Sequence, residues 1–226
     1  MATRAPSLMI GGILAVIGLA LLVVIDASDP FDRTLIGALR DPALRDPLSF
    51  LRPITELGST GAVIVVGGLV FATGAAIGPW RHGLIGAITI ALSSIGLQLT
   101  KAVVARTRPD LLEPLVVEHG FSFPSGHATL SMVAYGVLAV LISRSRLPWA
   151  VQLPSIIALG VLIVLVGISR IWLGAHYPTD VLAGWIAGWV IVMLYASFTR
   201  RVSREPAEAA ADADPAAQRS DPPAAG

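Results

Sequence analysis

The fold is decided by the stretch IIALGVLIVLVGISRIWLGAHYPTD, residues 156–180. It completes an uncharged apolar run, Leu147–Ile168, and then places an arginine, a histidine and an aspartate in close succession. An apolar run of about 20 residues is long enough for a helix to cross a bilayer. Ionisable groups beside lipid are energetically costly and usually mark function. The stretch therefore predicts a membrane-spanning helix that ends in a functional site.

Five further apolar runs of similar length surround this stretch. They are Leu8–Ile25, Leu57–Pro79, Leu84–Thr100, Ala128–Ser143 and Val181–Thr199. The chain is 54% hydrophobic and 14% charged, which is too apolar for an ordinary soluble domain. The sequence predicts an all-α integral membrane protein, a bundle of six transmembrane helices. Apolar residues at helical spacing in the connection Asp26–Glu56 predict short interfacial helices in the first outer loop.

The chain is expected to form one membrane domain and a tail. Leu8–Ile25 is long for the hydrophobic part of a signal peptide, and no A-x-A cleavage pattern follows it, which favours an uncleaved anchor. Residues 1–199 are predicted to form the membrane domain, with the chemically informative part at residues 101–180. Residues 200–226 are rich in alanine, proline and charge, with little to bury, and are predicted to be a disordered cytoplasmic tail.

Composition excludes several kinds of chemistry. The chain has no cysteine, so disulfides, thiolate nucleophiles and thiolate metal sites are excluded. A net charge of +1 gives no electrostatic reason to expect nucleic acid as a partner. The chain has a single lysine, Lys101, which lies at the end of an apolar run rather than in a polar loop.

The first candidate segment is Lys101, six residues, and then Arg108-Pro109. Seven residues are two helical turns, so Lys101 and Arg108 share a face, with Lys101 roughly 10 Å deeper. Pro109 disfavours helix at Arg108, so the helix is expected to end there and leave the guanidinium free to bind an anion. Taken singly, Lys101 also fits a side chain that extends to the lipid headgroups.

The second candidate segment is Pro124-Ser125-Gly126-His127, at the start of the fourth apolar run. Ser125 is a favourable N-cap, and Gly126 permits close approach of the backbone to a ligand. The free N–H groups of a helix start form an anion site, beside which His127 could donate a proton. A capped helix with an interfacial histidine explains the tetrapeptide about equally well.

The third candidate segment is Ser169-Arg170, five residues, His176, three residues, and Asp180. Arg170 ends the fifth run, and Pro178 suits the first turn of the sixth helix. Asp180 is close enough in sequence to accept a hydrogen bond from His176, which would fix the tautomer and activate the other ring nitrogen. A structural cap on the sixth helix is the alternative.

The three segments together resemble one family. Lys-x6-Arg-Pro, Pro-Ser-Gly-His and Ser-Arg-x5-His-x3-Asp, in this order, are similar to the signatures of the type 2 phosphatidic acid phosphatase and vanadium haloperoxidase superfamily. The phrase Gly120-Phe121-Ser122-Phe123 is similar too. The resemblance implies a phosphate-binding group consisting of Lys101, Arg108, Ser125, Gly126 and Arg170. It also implies that His176 attacks phosphorus, Asp180 orients His176, and His127 protonates the leaving oxygen.

The resemblance implies a membrane lipid phosphatase that works through a phosphohistidine without metal or cofactor. Its expected partners are membrane lipids and a lipid phosphate substrate, of the phosphatidic acid, phosphatidylglycerol phosphate or polyprenyl pyrophosphate class. The alternatives are a lipid phosphotransferase, a vanadate-dependent haloperoxidase, which six spans disfavour, and a non-catalytic scaffold or transporter. The sequence does not indicate an oligomeric state.

The expected location is a bacterial inner membrane with the site on its outer side. Small size and arginine-rich, lysine-poor usage suggest the bacterial membrane. Arginine placement modestly favours both termini in the cytoplasm once Lys101, Arg108 and Arg170 are assigned to chemistry. Six alternating spans then bring all three segments to the outer side.

Overall fold

The computed structural model describes residues 4–39, 48–109 and 118–213. All the regular secondary structure in these ranges is helical, and turns and loops connect the helices. The helices are α1 (Arg4–Val24), α2 (Asp29–Leu39), α3 (Leu48–Glu56), α4 (Thr60–Ile77), α5 (Trp80–Val104), α6 (Gly126–Ser143), α7 (Trp149–Trp172) and α8 (Pro178–Ala213). Six of these, α1, α4, α5, α6, α7 and α8, are long and apolar enough to cross a membrane. The predicted all-α, six-span architecture is confirmed.

The two remaining helices lie in the long connection between the first and second spans. α2 and α3 confirm that this connection contains short helices, although residues 40–47 lie outside the described residues. α2 buries Ile36 together with a carboxylate, Asp32, so its inner face is not purely apolar. The position of these helices at the membrane surface stays a prediction.

The last helix extends past the predicted domain boundary at residue 199. α8 continues to Ala213, so the expectation of a disordered tail from residue 200 does not describe residues 200–213. Alanine, glutamate and arginine are strong helix formers, and here they prolong a helix that is already established. Residues 214–226 lie outside the described residues, and disorder there stays a prediction.

Close packing of α6 against α8 positions the start of both helices. α6 is the most enclosed of the long helices, with Val133, Ala134 and Val137 fully buried. Two glycines of α8 allow the approach. A Cβ atom at Gly188 would lie 2.7 Å from the Met132 side chain, and one at Gly184 would lie 2.9 Å from the backbone oxygen of Ser125. The spacing of these glycines therefore serves helix packing within the bundle.

Candidate active site

The three motif segments meet at one end of the bundle. The last turns of α5, the loop before α6, the first turn of α6 and the loop before α8 surround a cavity of about 380 Å³. Among the predicted site residues, the cavity wall contains Lys101, Arg108, Gly126, His127 and His176. Residues far apart in the sequence therefore face one small volume, which is what the alternation of six spans requires.

The end of α5 and the residues that follow it place Lys101 and Arg108 on the cavity wall. Ala105 adopts a left-handed conformation, φ 50° and ψ 30°, and its N–H donates to the Lys101 carbonyl, which ends the helix. The Lys101 ammonium donates to the Phe121 carbonyl at 2.6 Å. The cavity wall therefore includes one cation inside the last helical turn and another, Arg108, beyond it.

Arg108 connects the loop before α6 to the loop before α8. Its guanidinium donates to the carbonyls of Gly120 at 3.1 Å, His119 at 3.2 Å and Ala175 at 2.8 Å. Its Nη1 also lies 3.2 Å from Nε2 of His176. A guanidinium has only donors, so Nε2 must be the unprotonated nitrogen and the ring proton must be on Nδ1. The lone pair of Nε2 is thus directed towards a cation on the cavity wall.

His176 is held neutral by its surroundings. The residue is 2% exposed. Burial lowers the pKa of His176 to about 4, although Asp180 opposes the shift and Arg108 and Arg170 support it. Burial therefore outweighs the neighbouring carboxylate, which favours the charged ring. A neutral imidazole with an unprotonated Nε2 is the form that can act as a nucleophile.

A serine lies between the histidine and the aspartate. Oδ2 of Asp180 is 3.5 Å from Nδ1 of His176, at the limit of a hydrogen bond. The Ser122 hydroxyl donates to the same carboxylate oxygen and lies 3.3 Å from Nδ1. Asp180 also accepts a hydrogen bond from the Tyr177 N–H at 3.0 Å. The orientation of His176 therefore depends on a triad of His176, Asp180 and Ser122. Sequence reasoning assigned no role to Ser122, although it lies in the phrase that resembles the family.

At the start of α6, Ser125 has a different role from Gly126 and His127. Ser125 is fully buried, and its hydroxyl accepts a hydrogen bond from the Ala128 N–H at 3.5 Å as the N-cap of the helix. Its own N–H donates to the Asp180 carbonyl at 3.0 Å. Ser125 is thus used as a cap, and it is absent from the cavity wall that Gly126 and His127 form. Direct contact of its hydroxyl with phosphate stays a prediction.

Arg170 lies next to a second cavity. It is 1% exposed and donates to Thr55 of α3 at 2.9 Å and to the carboxylate of Glu118. The second cavity, of about 660 Å³, is lined by Arg170, Glu118, His127 and residues of α3. Because Glu118 and His127 border both cavities, they form the partition between Arg170 and the other predicted phosphate ligands.

Glu118 occupies the space between two predicted phosphate ligands. Its carboxylate is bonded to Arg170 on one side and lies 3.9 Å from the Arg108 guanidinium on the other. Burial disfavours the charged carboxylate, but the Arg170 guanidinium outweighs this and holds the pKa of Glu118 below its usual range. An anion thus already bridges the two arginines. Sequence reasoning missed Glu118; its one signal was an acidic side chain just before the second segment.

Comparison with known proteins identifies related sequences. Residues 82–204 match the family model described as the PAP2 superfamily. The chain is 32% identical over 171 residues to phosphatidylglycerophosphatase B of Bacillus subtilis, covering 74% of this chain and 80% of that protein. It is also 32% identical over 118 residues to an undecaprenyl-diphosphatase of Sulfolobus acidocaldarius, covering 49% of this chain and 52% of that protein.

Solved structures share the fold. The transmembrane PAP2 type phosphatidylglycerolphosphate phosphatase from Bacillus subtilis superposes with a TM-score of 0.74 at 29% identity, covering 86% of this chain and 96% of that structure. LpxE from Aquifex aeolicus superposes with a TM-score of 0.57 at 21% identity, covering 74% of this chain and 95% of that structure, which is a likeness of fold alone.

Proposed function

The chain belongs to the PAP2 superfamily and is an integral membrane lipid phosphatase, and from that premise we propose that it transfers phosphate from a lipid to His176 and then to water. One observation carries the proposal: the buried, neutral His176 presents its Nε2 to a cavity bordered by cations, with Asp180 and Ser122 behind its Nδ1. That geometry supports covalent catalysis by the imidazole.

In the first half-reaction, Nε2 of His176 attacks phosphorus and the bond to the lipid oxygen breaks. His127 supplies the proton that the leaving alkoxide needs. Lys101 and Arg108 neutralise the charge on the phosphoryl oxygens, and Arg170 joins them when Glu118 is displaced. In the second half-reaction, water attacks the phosphohistidine, His127 accepts a proton from that water, and inorganic phosphate leaves with His176 regenerated.

The proposed substrate is a lipid with a terminal phosphomonoester or diphosphate. The names of the two relatives, a phosphatidylglycerophosphatase and an undecaprenyl-diphosphatase, support these two classes. The decisive experiment measures phosphate release by the purified protein from phosphatidic acid, phosphatidylglycerol phosphate and a polyprenyl pyrophosphate. Release from at least one of them, abolished in His176→Ala, is expected. A rate that depends on an added alcohol acceptor would indicate a phosphotransferase instead.

We further propose that the protein lies in a bacterial inner membrane with the site on the outer side. The support is the arginine distribution and the common side of the three motif segments. Protease added to right-side-out vesicles should leave the region after Arg204 intact, and protease added to inverted vesicles should cleave it. The reverse pattern would place the site on the cytoplasmic side.

A further inference from the structure

A second arginine of the first segment, Arg106, is bonded to three carboxylates, of which those of Asp180 and Asp32 are fully buried and that of Asp29 is partly exposed. Nη1 of Arg106 is 2.7 Å from Oδ1 of Asp180, and its Nη2 is 2.8 Å from Oδ2 of Asp32. The Arg106 side chain is 7% exposed, and the side chains of both aspartates are fully buried. The Arg106 guanidinium therefore connects the carboxylate of Asp180 to α2, a helix that contributes no residue to the proposed catalytic steps.

Asp32 also holds the first turn of α8 directly. Its Oδ1 accepts the Thr179 N–H at 3.0 Å, and its Oδ2 accepts the Thr179 hydroxyl at 2.6 Å. Thr179 precedes Asp180 in the chain, so Asp32 fixes the backbone that carries the catalytic carboxylate. The Arg106 guanidinium in turn lies over the Tyr177 ring, 3.9 Å from its centroid. Arg106 and Asp32 thus fix the position of Asp180 from two sides.

The charges of Arg106, Asp32 and Asp180 favour attack by the nucleophile, His176. When Nε2 of His176 attacks phosphorus, the ring becomes an imidazolium, and a fixed anion at Nδ1 stabilises it. A buried carboxylate without a cation would instead take up a proton. Arg106 pairs with Asp180, and because Asp32 and Asp29 share the same guanidinium, the cation does not cancel the field of Asp180 at the ring.

We propose that Arg106 and Asp32 are positioning residues of the phosphatase, which hold Asp180 ionised and directed at His176. The inference rests on the proposed roles of His176 and Asp180. Neither residue borders the cavity of about 380 Å³, so their effect should fall on the chemical step rather than on phosphate binding.

The expected effects on pH dependence differ in direction between variants. The ionisable groups around His176, from the surrounding helices and loops, are Lys101, Arg108, Glu118, His119, His127, Arg170 and Asp180, and those that face Arg106 are Asp29, Asp32 and Asp180. Removing the Arg106 charge strengthens the negative field at the dyad of His176 and Asp180, so the dyad takes up its proton at higher pH. Removing the Asp32 charge leaves Arg106 uncompensated, so the proton is taken up at the same or lower pH.

The experiment compares kcat, the inhibition constant of inorganic phosphate and the acid limb of the pH profile in matched variants. Arg106→Gln should lower kcat at least tenfold and move the acid limb up by about one pH unit, with phosphate inhibition within twofold of wild type. Arg106→Lys keeps the charge, so its acid limb should stay within a few tenths of a unit of wild type. Asp32→Asn should lower kcat without raising the limb.

Two exposed residues provide controls of the same chemistry. Arg81 is exposed at the start of α5, and Asp26 is exposed in the turn before α2. Arg81→Gln and Asp26→Asn should keep wild-type kcat and pH profiles. Any downward shift of the acid limb in Asp32→Asn should be absent in the Arg106→Gln background, because Asp32 acts on the dyad through Arg106.

The outcomes separate this inference from the proposed function. Turnover by wild type and its loss in His176→Ala test the phosphohistidine independently of Arg106. If these hold and Arg106→Gln leaves both kcat and the acid limb unchanged, the positioning role is overturned. If Arg106→Gln does not fold, the test uses Arg106→Lys, which retains the charge. An acid limb that moves by as much as one pH unit in Arg106→Lys would overturn the inference. An acid limb that does not move would support it.

Discussion

Replacing Glu118 by glutamine should make the enzyme bind phosphate more tightly. Glu118 bonds to Arg170 and faces Arg108, so a phosphate that bridges the two arginines must first displace it. Hydrogen bonds to charged groups contribute about 1.5–3 kcal/mol. Because the Glu118 side chain is 27% exposed, solvent screening reduces this to about 1–2 kcal/mol. Glutamine removes the charge and keeps the shape, which predicts a 5- to 30-fold lower inhibition constant for inorganic phosphate, since about 1.4 kcal/mol is tenfold.

The assay is competitive inhibition of lipid phosphate hydrolysis by inorganic phosphate, in micelles of fixed composition. Glu56→Gln is the matched control, because Glu56 lines the same second cavity and acts on Arg170 through space. That variant should change the inhibition constant less than twofold. Unchanged or weaker phosphate binding in Glu118→Gln would refute the view that Glu118 competes with the substrate. An equal gain in both variants would mean that only the overall charge of the cavity matters.

Three further predictions concern the chemistry. His127→Ala should lower kcat on a lipid monoester by about 10²–10⁴ but much less on an aryl phosphate with a good leaving group, and equal losses on the two substrates would argue against its role as the acid. Activity should persist in excess EDTA, since no group of three or more His, Asp or Glu side chains within residues 4–39, 48–109 and 118–213 is arranged to hold a metal ion; loss on chelation with recovery on adding magnesium would contradict this. Because burial lowers the pKa of His176 to about 4, the neutral nucleophile should persist as pH falls through 6.5, and kcat on the aryl phosphate should decline only near pH 4. A midpoint at or above the ordinary imidazole value would contradict that assignment.

The architecture was predictable because it depends on the length of apolar runs. Each of the six runs is long enough to span a bilayer, and their alternation alone brings Lys101, His127 and His176 to one end of the bundle. The capping role of one residue at a helix start was also predictable from the sequence. Ser125 caps α6 as its residue type predicts, although the cap then withdraws its hydroxyl from the cavity.

The groups that sequence reasoning missed act through tertiary contacts. Glu118 and Ser122 lie in a connection without apolar periodicity, and Asp32 lies on a short helix among other polar residues, so no pattern distinguishes the three from neighbouring polar side chains. Arg106 is only two residues from Arg108, yet the turn at Ala105 places it among buried carboxylates rather than at the cavity. Pairings between residues more than 70 positions apart cannot be inferred from local spacing.

The central claim is that His176 carries the phosphoryl group, and trapping the intermediate tests it most directly. The purified protein would be mixed with a radiolabelled lipid phosphate, quenched in alkali, in which phosphohistidine survives, and digested for mass spectrometry. The account predicts one phosphoryl group on the peptide that contains His176, formed and lost at rates compatible with turnover, and no label or turnover in His176→Ala. Turnover by His176→Ala at a rate near wild type, or a label on a different residue, would contradict it.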